Sequence, residues 1–176
     1  LENGTERGQL KIWEEIMTET IYKDGIKAAV SLITIAGRTA PKAKGMDTII
    51  IKILTSAELK KLIKKMKEIG KTRDAKGISM SDAVILVGAH DKSRGLDCGF
   101  CGGSCKAHKG LCAYTGIDLG IAVGSMVSRA ADMRIDNRIM YTAGFAALKC
   151  SLMPKNVKAA FAIPLSVSSK NIFFDR

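Results

Sequence analysis

Four of the chain's five cysteines fall within residues 98–112, as Cys98-Gly-Phe-Cys101-Gly-Gly-Ser-Cys105 and then Cys112, a C-x2-C-x3-C-x6-C spacing. Thiolates this close, separated by glycines that let the backbone curl, can converge on one metal centre without help from distant sequence. The same tight turns leave backbone N–H groups free to point at sulfur, which tunes a bound centre. Three readings are open. An iron–sulfur cluster, foremost a [4Fe–4S] cluster, fits four closely spaced thiolates. A structural zinc ion also accepts four thiolates, but its usual pattern is two C-x2-C pairs across a longer loop, and the second pair is missing here. Free or disulfide-bonded cysteines are the third reading, a poor one for a cytosolic chain. The expected ligands are therefore Cys98, Cys101, Cys105 and Cys112. His108 could replace one thiolate but reads first as an exposed loop residue. Cys150 sits on an apolar helical stretch and reads as core.

Other catalytic chemistry is sparse. With His90 and His108 as the two histidines, acid–base work through imidazole is not expected. No Ser-His-Asp set, zinc-hydrolase motif or P-loop is evident. Positive charge is abundant, with 28 Lys and Arg against 17 Asp and Glu and a net charge of +11. A basic surface invites a nucleic-acid reading, which two features oppose. The densest basic run, Lys60 to Lys67, lies on an expected helix as a solvated face, and 5% aromatic residues leave few stacking platforms. Two basic places stand out instead, the loop Arg38-Thr39-Ala40-Pro41-Lys42-Ala43-Lys44-Gly45 and Lys170 in the tail. Each reads either as an anion site or as solvated surface.

These groups need elements to hold them. From Gln9 to Ala36, Leu10, Trp13, Met17, Ile21, Ile26, Val30 and Ile33 recur at helical spacing, with Asp24-Gly25 either breaking the run into two helices or tolerated within one. Pro41 pushes its predecessor out of helical geometry, so the basic segment is a loop. Residues 48–54 (TIIIKIL) read as a strand. Thr55 with Glu58 fits a capping box for a helix that buries Leu59, Leu62, Ile63, Met66 and Ile69 and stops at Gly70. A polar stretch follows. Residues 82–88 are apolar on both faces, as in a central strand covered on each side.

After the Cys-rich loop, a helix is expected over 117–133, where Gly116, Gly120, Gly124 and Ser128 make a stripe without bulk. Asp118 reads as its cap. A short strand over 138–142, a short helix over 145–152 and a strand over 159–163 complete the reading, with Asp136 and Arg138 expected to pair with each other or with a neighbour. The expectation is an α+β chain, a central sheet flanked by helices, forming one domain over 1–176 with a metal-binding loop insertion at 95–113. With 47% hydrophobic and 26% charged residues it should fold. No membrane span or secretory signal is expected, and the default location is the cytoplasm.

Several blocks carry a family resemblance: Arg38-Thr39-Ala40-Pro41-Lys42 with Gly45 and Asp47, the cysteine cluster, and Asp118-Leu119-Gly120-Ile121-Ala122 with Gly124-Ser125. Further blocks are Asp136-Asn137-Arg138-Ile139-Met140-Tyr141, Ile163-Pro164-Leu165-Ser166 and the ending Lys170-Asn171-Ile172-Phe173-Phe174-Asp175-Arg176. The chain resembles an uncharacterised prokaryotic family of proteins containing a ferredoxin domain. The order of elements also resembles the flavin-dependent nitroreductases. Those are usually intertwined homodimers holding FMN at the subunit interface.

That likeness implies a nitroreductase-like scaffold, a homodimer and an FMN. The arginine-serine-x-arginine stretch that grips FMN phosphate in that group is absent upstream of residue 38. The expected phosphate contacts are therefore Arg38, Lys42, Lys44 and Lys170. The function expected is a redox protein, an iron–sulfur centre on this scaffold exchanging electrons with a flavin or a redox partner. The alternative is a zinc-stabilised, non-enzymatic binding module whose basic surface meets an acidic partner or nucleic acid.

Overall fold

The computed structural model describes residues 3–174, and side chains from residue 16 onward. The expected helical positions Leu10 and Trp13 and the terminal Asp175-Arg176 therefore fall outside the described side chains. The elements run α1 (Asn3–Thr39), β1 (Ile49–Ile53), α2 (Ser56–Glu68), α3 (Thr72–Ser79), β2 (Ala83–His90), α4 (Ala113–Asp132), β3 (Asp136–Asn137), α5 (Tyr141–Lys149) and β4 (Val157–Ser166).

The four strands form one antiparallel sheet in the order β1-β2-β4-β3. Alternation of side chains along each strand splits the core in two. Ile50, Val84 and Leu86 face one layer, with Leu62, Met66, Ile78 and Ala146 of α2, α3 and α5. Ile49, Ile85 and Val87 face the other, with Val30, Ile33, Leu119 and Met126 of α1 and α4. The expected central sheet between helices is what forms.

Two close approaches lock the helices onto their neighbours. A Cβ on Gly144 of α5 would lie 2.0 Å from the carbonyl oxygen of Ala160 in β4. One on Gly37 of α1 would lie 2.6 Å from Sδ of Met126 in α4. Pro164 sits inside β4, opposite Val84. Met140 exchanges both backbone hydrogen bonds with Ala162, so alternate residues of β4 face the β3 side. The amide that Pro164 lacks therefore falls where the chain between Asn137 and Met140 has left the ladder.

Of the two outcomes open at Asp24-Gly25, the dipeptide is tolerated within one helix: α1 is continuous, and Gly25 stands in open space. Several expectations are corrected. The polar stretch after Gly70 holds α3, whose buried residues are only Ala75 and Ile78. Helix α4 starts at Ala113, four residues early, and its cap position is Cys112. Residues 141–142 open α5 instead of ending a strand. The Thr55–Glu58 capping box is present, with Glu58 N–H donating to Thr55 Oγ1 and Thr55 N–H donating to the Glu58 carboxylate. Among the described residues no helix is long and apolar enough to cross a membrane.

Candidate functional site

The segment between β2 and α4 curls on residues with positive φ, namely Gly95 at 59°, Asp97 at 46°, Gly99 at 75° and Gly102 at 83°. Glycine takes such angles without strain. Asp97 is held there because its carboxylate accepts the Cys105 N–H at 2.6 Å while its own N–H meets Cys105 Sγ at 3.3 Å. The result is that Cys98, Cys101, Cys105 and Cys112 all line one cavity, with His108 and Arg94 also in its wall. Gly110 lies close against His108, where a Cβ would meet Nε2 at 2.8 Å and the ring would have to turn aside. That nitrogen lies 3.2 Å from the Leu111 carbonyl oxygen.

The N-terminus of the 20-residue helix α4 bears on this cavity. Cys112 occupies its cap position, and Ala113 N–H donates to Cys101 Sγ at 3.1 Å. Partial burial raises the Cys112 thiol, but N–H donors from Arg94, Tyr114 and Thr115 and the Arg94 guanidinium outweigh it, so the group lies below an ordinary thiol. Helix N-termini favour negative charge for this reason. Cys150, by contrast, is buried on the far layer and pushed up by desolvation. The five cysteines are free of disulfides.

The donor set suits a thiolate-ligated centre. Four thiolates are accepted both by a structural zinc ion and by an iron–sulfur cluster.

Behind the cysteines lies a buried ion pair that sequence reasoning missed. Arg94 and Asp118 are 2% and 1% exposed. Arg94 Nε and Nη2 donate to Asp118 Oδ2 at 3.1 and 2.8 Å, Nη2 also donates to Thr48 Oγ1 at 2.8 Å, and Nη1 donates to the Lys92 carbonyl. The other carboxylate oxygen of Asp118 accepts the Ala43 N–H at 3.0 Å. Asp118 is thus no helix cap; it sits in α4 on the buried face and ties together three segments.

The basic loop is largely engaged with itself. Arg38 Nη1 lies 2.5 Å from Asp47, and it donates to the Ile49 carbonyl at 3.2 Å. Lys42 donates to the carbonyls of Gly37 and Arg38, closing the end of α1, and lies 3.8 Å from Asp47. Partial burial raises the Asp47 carboxyl, but the Arg38 hydrogen bond, the Ile49 N–H and Lys42 outweigh it and hold it below the usual range. Lys44 is exposed, at φ 55° in a 3₁₀ turn over Ala43–Gly45.

Lys170 is elsewhere. It lines a cleft of ≈ 580 Å³ with Arg73, Lys76, Arg138, Ser168 and Asn171. Arg138 pairs with Asp74 at 3.9 Å and stacks on Phe174, not with Asp136. The cleft adjoins the end of the sheet where Asp82 N–H donates to Leu165 and Val167 N–H donates to Asp82. The basic loop and the cysteines adjoin the other end, where His90 N–H donates to Thr48. The eight-residue β2 between them is about 25 Å long. A helical-face pattern was the signal available here, since Arg73 and Lys76 lie one turn apart on α3.

The family described as uncharacterized proteins containing a ferredoxin domain matches residues 108–176. An uncharacterized protein of Archaeoglobus fulgidus is 37% identical over 181 residues, covering 92% of this chain and 97% of its own length. The chain belongs to this ferredoxin-domain family. Of the four clustered cysteines the family match itself spans Cys112. Solved structures give the fold of this family member. A putative NADH dehydrogenase/NAD(P)H nitroreductase from Bacteroides thetaiotaomicron superposes with a TM-score of 0.60 at 14% identity, over 82% of this chain and 75% of that one. A nitroreductase with bound FMN from Bacteroides fragilis gives 0.56 at 14% identity, over 81% and 77%. The ferredoxin-domain protein therefore has the nitroreductase fold.

Proposed function

We propose that this protein is a homodimeric redox protein that carries an iron–sulfur cluster, [4Fe–4S] in type, on Cys98, Cys101, Cys105 and Cys112, and exchanges electrons with a flavin. The observation that carries the reading is the gathering of four thiols of one loop around a single cavity, with the N–H groups of α4 directed at two of them. When bound, such a cluster supplies one-electron transfer. The chain's own contribution is to stabilise its negative charge through N–H donors and Arg94, and to exclude solvent on the side covered by α4.

The flavin half rests on the cleft around Lys170. Its volume falls within the 300–1,000 Å³ of cofactor pockets, and Arg73, Lys76 and Lys170 offer charge for a phosphate. FMN is present in the Bacteroides fragilis neighbour. Loop 38–45 and Lys170 stand at opposite ends of the sheet, so one protomer does not bring Arg38, Lys42, Lys44 and Lys170 to one flavin. A homodimer can, with the loop of one protomer facing the cleft of its partner.

Two exposed apolar faces support that assembly. Residues 16–25 of α1 are all exposed, with Ile21 at 65%. On α4, Gly116, Gly120 and Gly124 look into open space beside exposed Ile117 and Ile121.

The test is anaerobic purification followed by iron, sulfide and zinc analysis, visible spectroscopy and titration with FMN. A brown protein with about four irons and four sulfides per chain that binds micromolar FMN is expected. A colourless protein holding one zinc per chain would instead make it the non-enzymatic binding module.

A further inference from the structure

Arg94 is among the largest fully buried side chains of the described residues. A buried guanidinium is costly to desolvate, and such a group is tolerated where every donor is matched. Here the carboxylate of Asp118, the hydroxyl of Thr48 and the carbonyl of Lys92 do the matching. A hydrophobic pair of the same volume would cost less to bury, so the arrangement calls for another reason. Position supplies it. Arg94 stands in the wall of the cavity that the four cysteines line, and its partner Asp118 lies in α4, whose cap is Cys112.

We propose that Arg94, clamped by Asp118, is the positioning residue of the metal centre. It fixes the exit of β2 against the start of α4, so that Cys98 and Cys112, the two ends of the ligand loop, are held at the right separation. Arg94 lines the cavity and Asp118 does not, so the neutral pair turns its positive end to the centre and favours the reduced, more negative state. The proposal rests on the metal-centre reading. Lysine cannot replace it, because a single ammonium cannot span Asp118, Thr48 and the Lys92 carbonyl with a rigid fork. Asp118 has a second role through its other oxygen, which holds the Ala43 N–H and so ties the basic loop to the same clamp.

Two variants separate charge from shape. In Arg94→Met/Asp118→Asn both charges go, while the asparagine oxygen still accepts the Ala43 N–H. Arg94→Lys keeps the charge and loses the fork. Wild-type protein is purified anaerobically and its iron content and midpoint potential are measured first. Absence of iron there overturns the metal-centre reading and the clamp with it, whereas iron-replete wild type leaves the clamp to be judged alone.

Both variants are expected to release iron to a chelator at least about tenfold faster. The double variant should also show a reduced-to-oxidised ratio about tenfold lower at fixed potential, a shift of about 59 mV for one electron, with Arg94→Lys close to wild type in this respect. Wild-type iron retention in Arg94→Lys overturns the positioning role, including in the event that the double variant does not fold. A wild-type potential in an iron-replete double variant overturns the role of the charge.

Discussion

A Cβ placed on Gly144 would come 2.0 Å from the carbonyl oxygen of Ala160, and 2.7 Å from Cα of Phe161. Backbone of β4 cannot yield there, because it is hydrogen-bonded to β2 on one side and bridged to Met140 on the other. Gly144→Ala is therefore expected to lower stability by about 3 kcal/mol or more, the upper range for overpacking. A urea melt within about 1 kcal/mol of wild type would show that α5 can lift off the sheet at little cost.

Gly124 makes the opposite case. Nothing lies within 4 Å of a Cβ at that position, so Gly124→Leu should leave the isolated protomer intact. In a homodimer packed along α4 the same leucine should weaken association about tenfold or more, for a clash of the size typical of overpacking. Light scattering across a dilution series, paired with circular dichroism, reads both. A monomeric wild type, or an unaffected dimer in the variant, removes this interface.

Cys101→Ala should lose most of the iron, since it deletes a ligand and the acceptor of the Ala113 N–H. Cys150→Ala should lose none, because Cys150 belongs to the layer of α2 and α5. Equal iron in the two variants would reject the ligand assignment.

For the flavin, Lys170→Ala should weaken FMN binding about 10- to 150-fold, as expected for one charge-assisted contact of about 1.5–3 kcal/mol. Arg38→Ala should cost less, since Arg38 is already committed to Asp47. Isothermal titration decides between them, and a larger loss in Arg38→Ala would move the phosphate to loop 38–45.

The Asp47 carboxyl is held below its ordinary value of 3.8. A depressed carboxylate stabilises the fold above its unfolded pKa, and the contribution fades as pH falls below that value. The pair is partly exposed, with side chains 56% and 34% accessible, so its worth is at most about 1 kcal/mol. Asp47→Asn should thus melt slightly below wild type at pH 7 and together with it at pH 2. A difference that persists at pH 2 would mean Asp47 acts through shape.

How much of this was legible in residues alone depended on periodicity. β1, α2 with its capping box and the two-sided apolar β2 follow from pattern. Helix α3 did not, because it buries only two side chains, and the start of α4 was masked by Cys112, which is a poor cap by type. The gathering of Cys98, Cys101, Cys105 and Cys112 around one cavity was readable because all four sit in one short loop. The Arg94–Asp118 pair joins residues 24 apart, and no local rule links them. One signal was available: Asp118 occupies a position on the face that also carries Thr115, Leu119 and Ala122, where a carboxylate needs a buried partner. The cleft escaped notice because Arg73, Arg138 and Lys170 meet only after α3, β3 and the tail are folded together.

The last strand of the chain lies inside the sheet, between β2 and β3, and that has a consequence for synthesis. Until residue 157 has left the ribosome, β2 presents a bare apolar edge and β3 has nothing to pair with. Such an edge is an aggregation hazard while it waits. The cysteine loop, whose four thiols span residues 98–112, emerges some 45 residues earlier and closes over a short chain length, which is entropically cheap. A nascent chain can thus gather its four sulfurs before it can complete its sheet. Truncations after α5 should accordingly yield chains able to take up metal but with an unfinished and sticky core.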